Sequence, residues 1–181
     1  MQLAVSQKPT AKSQKPKVKE EHTVYLGLGS NMGDRKATLD AACQKIERLI
    51  GHIVRQSAYH ESEPWGFQSE NTFLNAVVCC TTTLSPRQLL RTTQRIERQL
   101  GKRRQHASIH PTPLTTQSSA LNTQPSALSP QPSTLNIYHD RPIDIDILLY
   151  DDLHIDEPDL IIPHPRMHQR PFVMEPLQEI L

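Results

Sequence analysis

The sequence predicts an α+β fold, a ferredoxin-like β-α-β-β-α-β sandwich with one antiparallel sheet and two helices on one face. Three observations support this fold class. Two segments repeat apolar residues at helical spacing, and each lies between segments typical of strands. The last strand alternates Asp with Ile, which gives it one acidic face. Two polar stretches, 1–22 and 105–136, interrupt the pattern, so we expect the folded domain at 23–181 with an insert inside it.

The first half of the pattern begins with a strand and a helix. Residues 24–29, Val-Tyr-Leu-Gly-Leu-Gly, form a short β run, and we expect its glycines to make a tight turn into the helix. Residues 36–50 carry apolar side chains at helical spacing, and Gly51 closes this helix as its C-cap. Residues 53–60 and 73–82 are then predicted to be two strands.

The second half repeats the order of helix and strand. Ser85 and Pro86 begin a helix well, because Ser caps the first turn and Pro is tolerated in it. The apolar spacing continues this helix to Gly101. After the insert, residues 143–150 form the strand in which Asp and Ile alternate. The sheet is therefore expected to contain four strands.

The two polar stretches are predicted to be disordered. Residues 1–22 are rich in Lys and Gln and lack the apolar run of a secretory signal. The stretch 105–136 contains five prolines, and its only ionisable side chains are His106 and His110. A repeat of about seven residues runs through it, but each copy offers too few apolar residues for a coiled coil. We expect an extended insert without a core of its own.

Composition excludes several classes of function. A net charge of +1 gives no global field that would recruit nucleic acid or an acidic membrane. A run of about 20 apolar residues, which a membrane helix needs, is absent from the sequence. The three cysteines have neither a disulfide framework nor Cys-x-x-Cys spacing, which is typical of buried thiols in a reducing compartment. We therefore predict a cytoplasmic protein.

Asp144 and Asp146 are candidate metal ligands. Residues two apart on a strand point to the same face, so both carboxylates lie side by side. Unpaired they would repel each other, and a hard divalent cation removes that cost. Mg²⁺ commonly takes one or two carboxylates together with substrate phosphates. A solvated polar strand face is the alternative.

Basic residues near this pair suit a polyphosphate, because cations and a metal together neutralise it. Lys102, Arg104 and Arg141 flank the insert, and His164 and Arg170 follow later in the chain. An ordinary charged surface is the alternative. The phosphate loop of nucleotide-binding proteins is missing, and the glycine spacing after the first strand does not fit a dinucleotide site.

Several stretches resemble 6-hydroxymethyl-7,8-dihydropterin pyrophosphokinases, enzymes of folate synthesis. The resemblance covers about 23–104 and 138–181. The stretches that agree in order and spacing are Leu26-Gly-Leu-Gly-Ser-Asn, Glu63-Pro-Trp-Gly, Phe73-Leu-Asn75, Gln94-Arg-Ile-Glu97 with Gly101-Lys-Arg-Arg104, Arg141-Pro-Ile-Asp-Ile-Asp-Ile-Leu-Leu, and Ile162-Pro-His-Pro-Arg-Met with Arg170-Pro-Phe172. Each stretch is modest by itself, and the set in this order is specific.

The resemblance implies a role for each matching residue. For the pterin it implies a ring sandwich by Phe73 and Phe172, hydrogen bonds from Asn75, and a pocket lined by the backbone at Glu63, Pro64 and Trp65. For ATP it implies contacts from Glu97, Lys102, Arg104, Arg141, His164 and Arg170, with Lys102, Arg104 and Arg141 also catalytic. For Mg²⁺ it implies two ions on Asp144 and Asp146. Core packing is the alternative for the two phenylalanines.

The implied function is transfer of diphosphate from ATP to 6-hydroxymethyl-7,8-dihydropterin, with release of AMP, by a monomer that binds neither nucleic acid nor membrane. Three departures from the family's pattern open an alternative. The family usually has Trp-Gly-Pro before the signature Arg, where this chain has Tyr138-His-Asp140, the insert enters the same loop, and the chain stops at Leu181, where the family normally continues with a short segment. The alternative is a catalytically impaired relic that binds ATP and pterin.

Overall fold

A computed structural model of the chain describes residues 20–101 and 140–181. The helices and strands, in order, are β1 (His22–Ser30), α1 (Arg35–Leu49), β2 (Ile53–Gln56), β3 (His60–Ser62), β4 (Phe73–Thr82), α2 (Pro86–Gln99), β5 (Asp144–Tyr150), β6 (Ile155–Glu157), β7 (Leu160–Ile162), a 3-10 turn (Met167–Gln169) and α3 (Pro171–Gln178). None of the helices in these two ranges is long and apolar enough to cross a membrane.

The main sheet is antiparallel in every pair. Its strands lie in the order β2-β4-β1-β5, and β3 pairs with β4 beyond the end of β2. The strands β6 and β7 form a separate hairpin. The fold is therefore a mixed α/β fold with an antiparallel sheet and three α-helices among the described residues. The hairpin, the 3-10 turn and α3 were not predicted from the sequence.

Local side chains explain how the helices begin and end. The Asp34 carboxylate accepts a hydrogen bond from the backbone N–H of Ala37 and caps α1. Ser85 and Gln88 form a capping box at the start of α2, as the Ser-Pro pair predicts. After α1, Gly51 packs so closely on β4 that a Cβ there would lie 1.9 Å from the Thr81 carbonyl oxygen. Only glycine fits this position.

The helices cover the sheet on both faces. The helices α1 and α2 pack on one face, where alternate residues of β1 and β5 join their apolar sides in the larger core. The helix α3 packs on the other face against Val77, Cys79 and Leu148. Because α3 covers only part of that face, the remainder of β1, β4 and β5 is left for a pocket.

Three expectations from the sequence need correction. The predicted strand 53–60 is divided between two strands, β2 and β3. The Ser57 hydroxyl accepts a hydrogen bond from the Val77 N–H, and the Glu179 carboxylate accepts one from the Ala58 N–H. These side-chain contacts interrupt the backbone hydrogen bonds between the strands. The strand β1 already begins at His22, inside the predicted tail. Residues 1–19 of that tail and the insert 105–136 lie outside the described residues.

The third correction concerns the glycines of the first strand. Gly27 and Gly29 lie within β1 and make no turn into the helix. The turn before α1 instead contains Gly33, whose φ of +62° is the left-handed conformation that favours glycine. The positions of Gly27 and Gly29 matter for the pocket instead.

Candidate active site

Three neighbouring strands form the floor of a pocket on the face opposite α1 and α2. Gly29 of β1 pairs with Asn75 of β4 on one side and with Asp144 of β5 on the other. Gly27 pairs with Asp146 of β5. Since adjacent strands lie about 4.8 Å apart, Asn75 and Asp144 are separated by about 10 Å across a strand that has no side chain there. The glycines thus leave an open strip between an amide and two carboxylates.

The two glycine positions of this strip leave little room for a larger side chain. A Cβ at Gly29 would lie 3.2 Å from Asn75 Oδ1, and a Cβ at Gly27 would lie 3.3 Å from Leu148 Cδ2. Both distances are shorter than ordinary van der Waals contacts. The glycines therefore set the depth of the pocket, a role that periodicity in the sequence does not reveal.

The pocket above this floor has about 610 Å³ of space, part of it open to solvent. Aromatic rings, two arginines, the amide and the two aspartates share its walls. The side chains that matter below are those of Ser62, Glu63, Trp65, Phe67, Phe73, Asn75, Arg141, Asp144, Asp146, Arg170 and Phe172. A mostly apolar cleft with a few convergent polar groups is typical of a small-molecule site.

Asn75 has a fixed orientation. Its Nδ2 donates to Ser62 Oγ at 2.9 Å and to the His60 carbonyl oxygen at 3.3 Å. A carbonyl oxygen can only accept, so the amide nitrogen faces β3 and the amide oxygen faces the Gly29 side of the pocket. The side chain is 5% exposed. Asn75 therefore presents a hydrogen-bond acceptor to a ligand.

Two arginines stack on the aromatic walls. The Arg170 guanidinium lies 4.9 Å from the ring centre of Trp65 and 5.9 Å from that of Phe172. Arg141 lies 5.5 Å from the ring centre of Phe73. A guanidinium is flat and cationic, and it stacks on a ring face as a flat heterocycle does. The rings therefore offer their faces to the pocket.

The same arginines approach the aspartates. Arg141 Nε lies 3.5 Å from Asp144 Oδ2, and Arg170 Nη1 lies 3.7 Å from Asp146 Oδ2. Within the described ranges, no group of three His, Cys, Asp or Glu side chains is placed to hold a metal. A cation on this carboxylate pair would need further oxygen ligands from a substrate, which suits Mg²⁺ and a polyphosphate.

A second, shallower cavity adjoins the first at Asp146. Its apolar wall consists of Leu90, Ile147, Pro158, Leu160, Ile161 and Pro165, and His164 lies at its edge. His164 Nε2 is 3.9 Å from Asp146 Oδ2. Burial, and then the charge of Arg170, lower the pKa of His164 from its ordinary value. Both effects favour the neutral imidazole, which still has one N–H to donate.

Glu97, which is expected to contact ATP, lies against the backbone of β5. It is buried on α2, and its Oε1 accepts a hydrogen bond from the Ile145 N–H at 2.9 Å. It lines neither cavity. The contact fixes the backbone of β5 between Asp144 and Asp146, so the carboxylate supports the aspartate pair from behind.

The structure brings most of the predicted site residues together. The first cavity contains Glu63, Trp65, Phe73, Asn75, Arg141, Asp144, Asp146, Arg170 and Phe172, and His164 lies in the second. Pro64 is half-buried between two lining residues and lines neither cavity. Lys102 and Arg104 lie outside the described residues.

Ser62 and Phe67 line the pocket although the sequence analysis assigned them no role. Ser62 stands one residue before the Glu63-Pro-Trp-Gly stretch, and Phe67 follows it directly. Their proximity to this stretch was the available signal. Local spacing alone could not show that Ser62 meets Asn75, since the two lie on different strands.

Comparisons with known proteins point to one protein family. The model of the family described as 7,8-dihydro-6-hydroxymethylpterin-pyrophosphokinase matches residues 25–115 and 133–181. Two relatives are named 2-amino-4-hydroxy-6-hydroxymethyldihydropteridine pyrophosphokinase. The protein from Porphyromonas gingivalis is 40% identical over 87% of this chain and 89% of its own length. The protein from Aquifex aeolicus is 34% identical over 87% of this chain and 79% of its own length.

Solved structures are similar in fold. A structure titled HPPK-DHPS in complex with substrates matches with a TM-score of 0.59 at 12% sequence identity. The match covers 88% of this chain and 40% of the chain in that structure. The Plasmodium falciparum HPPK-DHPS with SDX-DHP has a TM-score of 0.55 at 14% identity, over 87% and 40%. At such low identity these two likenesses show the fold alone.

Proposed function

The chain belongs to the 7,8-dihydro-6-hydroxymethylpterin-pyrophosphokinase family, and we propose that the two adjoining cavities are its active site. The protein is an ATP-dependent diphosphotransferase that transfers pyrophosphate from ATP to hydroxymethyldihydropterin in folate biosynthesis. The relic alternative is not favoured. The observation that carries the site assignment is the row Asn75–Gly29–Asp144, which sets an amide and a carboxylate about 10 Å apart across an open strip.

The pterin occupies the half of the first cavity near Asn75. A pterin is a flat heterocycle with N–H donors on its edge, and Asn75 Oδ1 offers an acceptor at the level of the Gly29 floor. Its ring faces contact Phe73, Phe172 and Trp65, where the guanidinium groups now stack. Arg141 and Arg170 then turn from the rings toward the phosphates.

ATP occupies the second cavity and the junction between the two cavities. Its base and ribose lie in the second cavity, against the apolar wall that includes Ile147 and Ile161. Its phosphates lie at the junction of the two cavities, near Asp146 and His164. A neutral His164 donates a hydrogen bond to a phosphate oxygen. Lys102 and Arg104 are proposed as further phosphate contacts from their positions in the sequence alone.

Asp144 and Asp146 are suited to hold Mg²⁺. Both are hard oxygen donors on one face of β5, both are partly exposed toward the cavity, and each has an arginine nearby. We propose two ions, each completed by phosphate oxygens and water. When bound, Mg²⁺ supplies charge neutralisation for the transferring group.

The chain's own residues orient the reactants and stabilise charge. The hydroxymethyl oxygen of the pterin forms a bond to the β-phosphorus of ATP, the bond from that phosphorus to the oxygen of the α-phosphate breaks, and AMP leaves with that oxygen. The hydroxyl proton passes to solvent, and no side chain is assigned as a base. Arg141 and Arg170 neutralise charge that develops on the phosphates, and Asn75 keeps the hydroxymethyl group in line.

The order β2-β4-β1-β5 supports the ferredoxin-like interpretation of the fold. The monomeric state and the cytoplasmic location stay predictions. The site is tested by measuring AMP release from ATP, with and without the pterin alcohol, in the native chain and in Asp144→Ala. The expected result is release that depends on the pterin and is lost in the variant. Full activity in Asp144→Ala would remove the assignment of this cavity.

A further inference from the structure

Asp140 joins two loops that border the pocket. Its Oδ1 accepts a hydrogen bond from Asn31 Nδ2 at 2.6 Å, and its Oδ2 accepts one from Asn71 Nδ2 at 2.7 Å. Asn31 belongs to the connection between β1 and α1, and Asn71 to the connection between β3 and β4. Asp140 itself precedes β5 by a few residues, so one carboxylate connects three segments that are distant in sequence.

The next residue, Arg141, is held through its backbone. Its N–H donates to Asn31 Oδ1 at 2.8 Å, and its carbonyl oxygen accepts from the Asn31 N–H at 3.3 Å. Asn31 is 2% exposed, so it has little freedom to move. With its third contact to Asp140, Asn31 fixes both the backbone of Arg141 and the side chain before it.

The fixed backbone sets the point from which the side chain places the Arg141 guanidinium. It stands between the ring of Phe73, at 5.5 Å, and the carboxylate of Asp144, at 3.5 Å. Phe73 follows Asn71 by two residues. The contact of Asp140 with Asn71 therefore connects the anchor of the arginine to the loop that precedes the aromatic wall.

We propose that Asp140 is a positioning residue for the reaction, which acts by holding the backbone from which Arg141 reaches the phosphates beside the aspartate pair. This inference rests on the proposed function of the pocket. Both Asp140 oxygens accept from amide groups, an arrangement suited to a fixed anchor. A carboxylate suits the anchor because its two acceptors match two amide donors.

The first experiment compares Asp140→Ala with Arg141→Ala and with the double variant. Asp140→Ala should lower kcat roughly 10- to 100-fold, since a misplacement of about 1 Å can cost about 100-fold. In the Arg141→Ala background the same change should lower kcat less than about twofold, because its effect passes through Arg141. Asp152→Ala, at an exposed carboxylate away from the pocket, is the matched control.

The second experiment exchanges donor and acceptor. Asn71→Asp sets two carboxylates against each other and should lower kcat about tenfold or more. Adding Asp140→Asn restores a complementary pair, because the new amide donates to the carboxylate at 71 and its oxygen still accepts from Asn31. The double variant should recover most of the lost kcat. Gln68→Glu adds a charge to the same exposed loop and controls for charge alone.

The outcomes separate this inference from the proposed site. Full activity in Arg141→Ala would overturn the site, because the arginine would then have no role in turnover. If Arg141→Ala is impaired while Asp140→Ala is not, the site stands and the positioning role is wrong. Additive losses in the double variant, or no recovery in the exchange, would also overturn it. Melting temperatures of all variants identify any loss that is due to unfolding.

Discussion

On the face of the sheet that α1 and α2 cover, β1 presents Val24, Leu26 and Leu28, whereas on the opposite face it presents Gly27 and Gly29. The first set is buried in the larger core. The second leaves the open strip of the pocket. Because successive side chains of a strand point to opposite faces, one stretch of sequence builds a core and a binding floor at once.

The strand β5 divides in a similar way. Ile145 and Ile147 join the core and also line the second cavity, whereas Asp144 and Asp146 face the first cavity. The strand with the carboxylates is thus anchored by its own neighbours in sequence and by Glu97 behind it. The core face therefore mainly determines whether the chain folds, and the pocket face mainly determines what the folded chain does.

The largest effect on stability is expected from the core face. Leu26→Ala should reduce the free energy of unfolding by about 2–5 kcal/mol, because Leu26 is fully buried and its loss leaves a cavity. Urea denaturation measures this change. Val54→Ala, at a site that is 52% exposed, should change it by less than about 0.5 kcal/mol. Equal losses at both positions would contradict the assignment of the core.

The largest effect on turnover is expected from the pocket face. Asp144→Ala should lower kcat about 100- to 1000-fold, as does removal of other groups that stabilise charge at the reacting centre. Its melting temperature should stay nearly the same, since the change relieves repulsion between the two carboxylates. A variant that loses both activity and stability would contradict this division between the two faces.

A smaller effect is expected at Asn75. Asn75→Ala should weaken pterin binding by about 1–3 kcal/mol, because polar groups of the ligand lose their partner. Affinity for ATP should change little, since Asn75 lies about 10 Å from the aspartates. Calorimetric titration of each ligand separates the two values. Equal loss of both ligands would show that the amide supports the fold instead of the pterin.

The smallest effect is expected at the glycine floor. Gly29→Ala should raise the KM for the pterin several-fold, at most about tenfold (about 1.4 kcal/mol), because its Cβ presses on Asn75 Oδ1 at 3.2 Å. Gly27→Ala should raise it less, since the nearest atom is the end of the flexible Leu148 side chain. Steady-state kinetics compare the two variants. A larger effect at Gly27 would contradict the proposed position of the pterin near Gly29.

Local spacing predicted a large part of this molecule. The period of 3.6 indicated α1 and α2, and short apolar runs indicated β1 and β4. The period of 2 indicated β5 and put Asp144 and Asp146 on one face. Such patterns are readable because the backbone geometry of an isolated strand or helix fixes which side chains share a face. The break at Ser57 was missed, because it depends on Val77 and Glu179, which are far away in sequence.

The sequence by itself determined the alternation of Asp and Ile along β5, and the motifs that identify the family. Only the tertiary structure decided that Gly29 lies between Asn75 and Asp144, that Glu97 supports β5 from behind, and that Asp140 meets Asn31. The physical reason is the range of the interactions. A side chain's face follows from its neighbours in the chain, whereas a contact such as that between residues 31 and 140 exists only after the strands have paired.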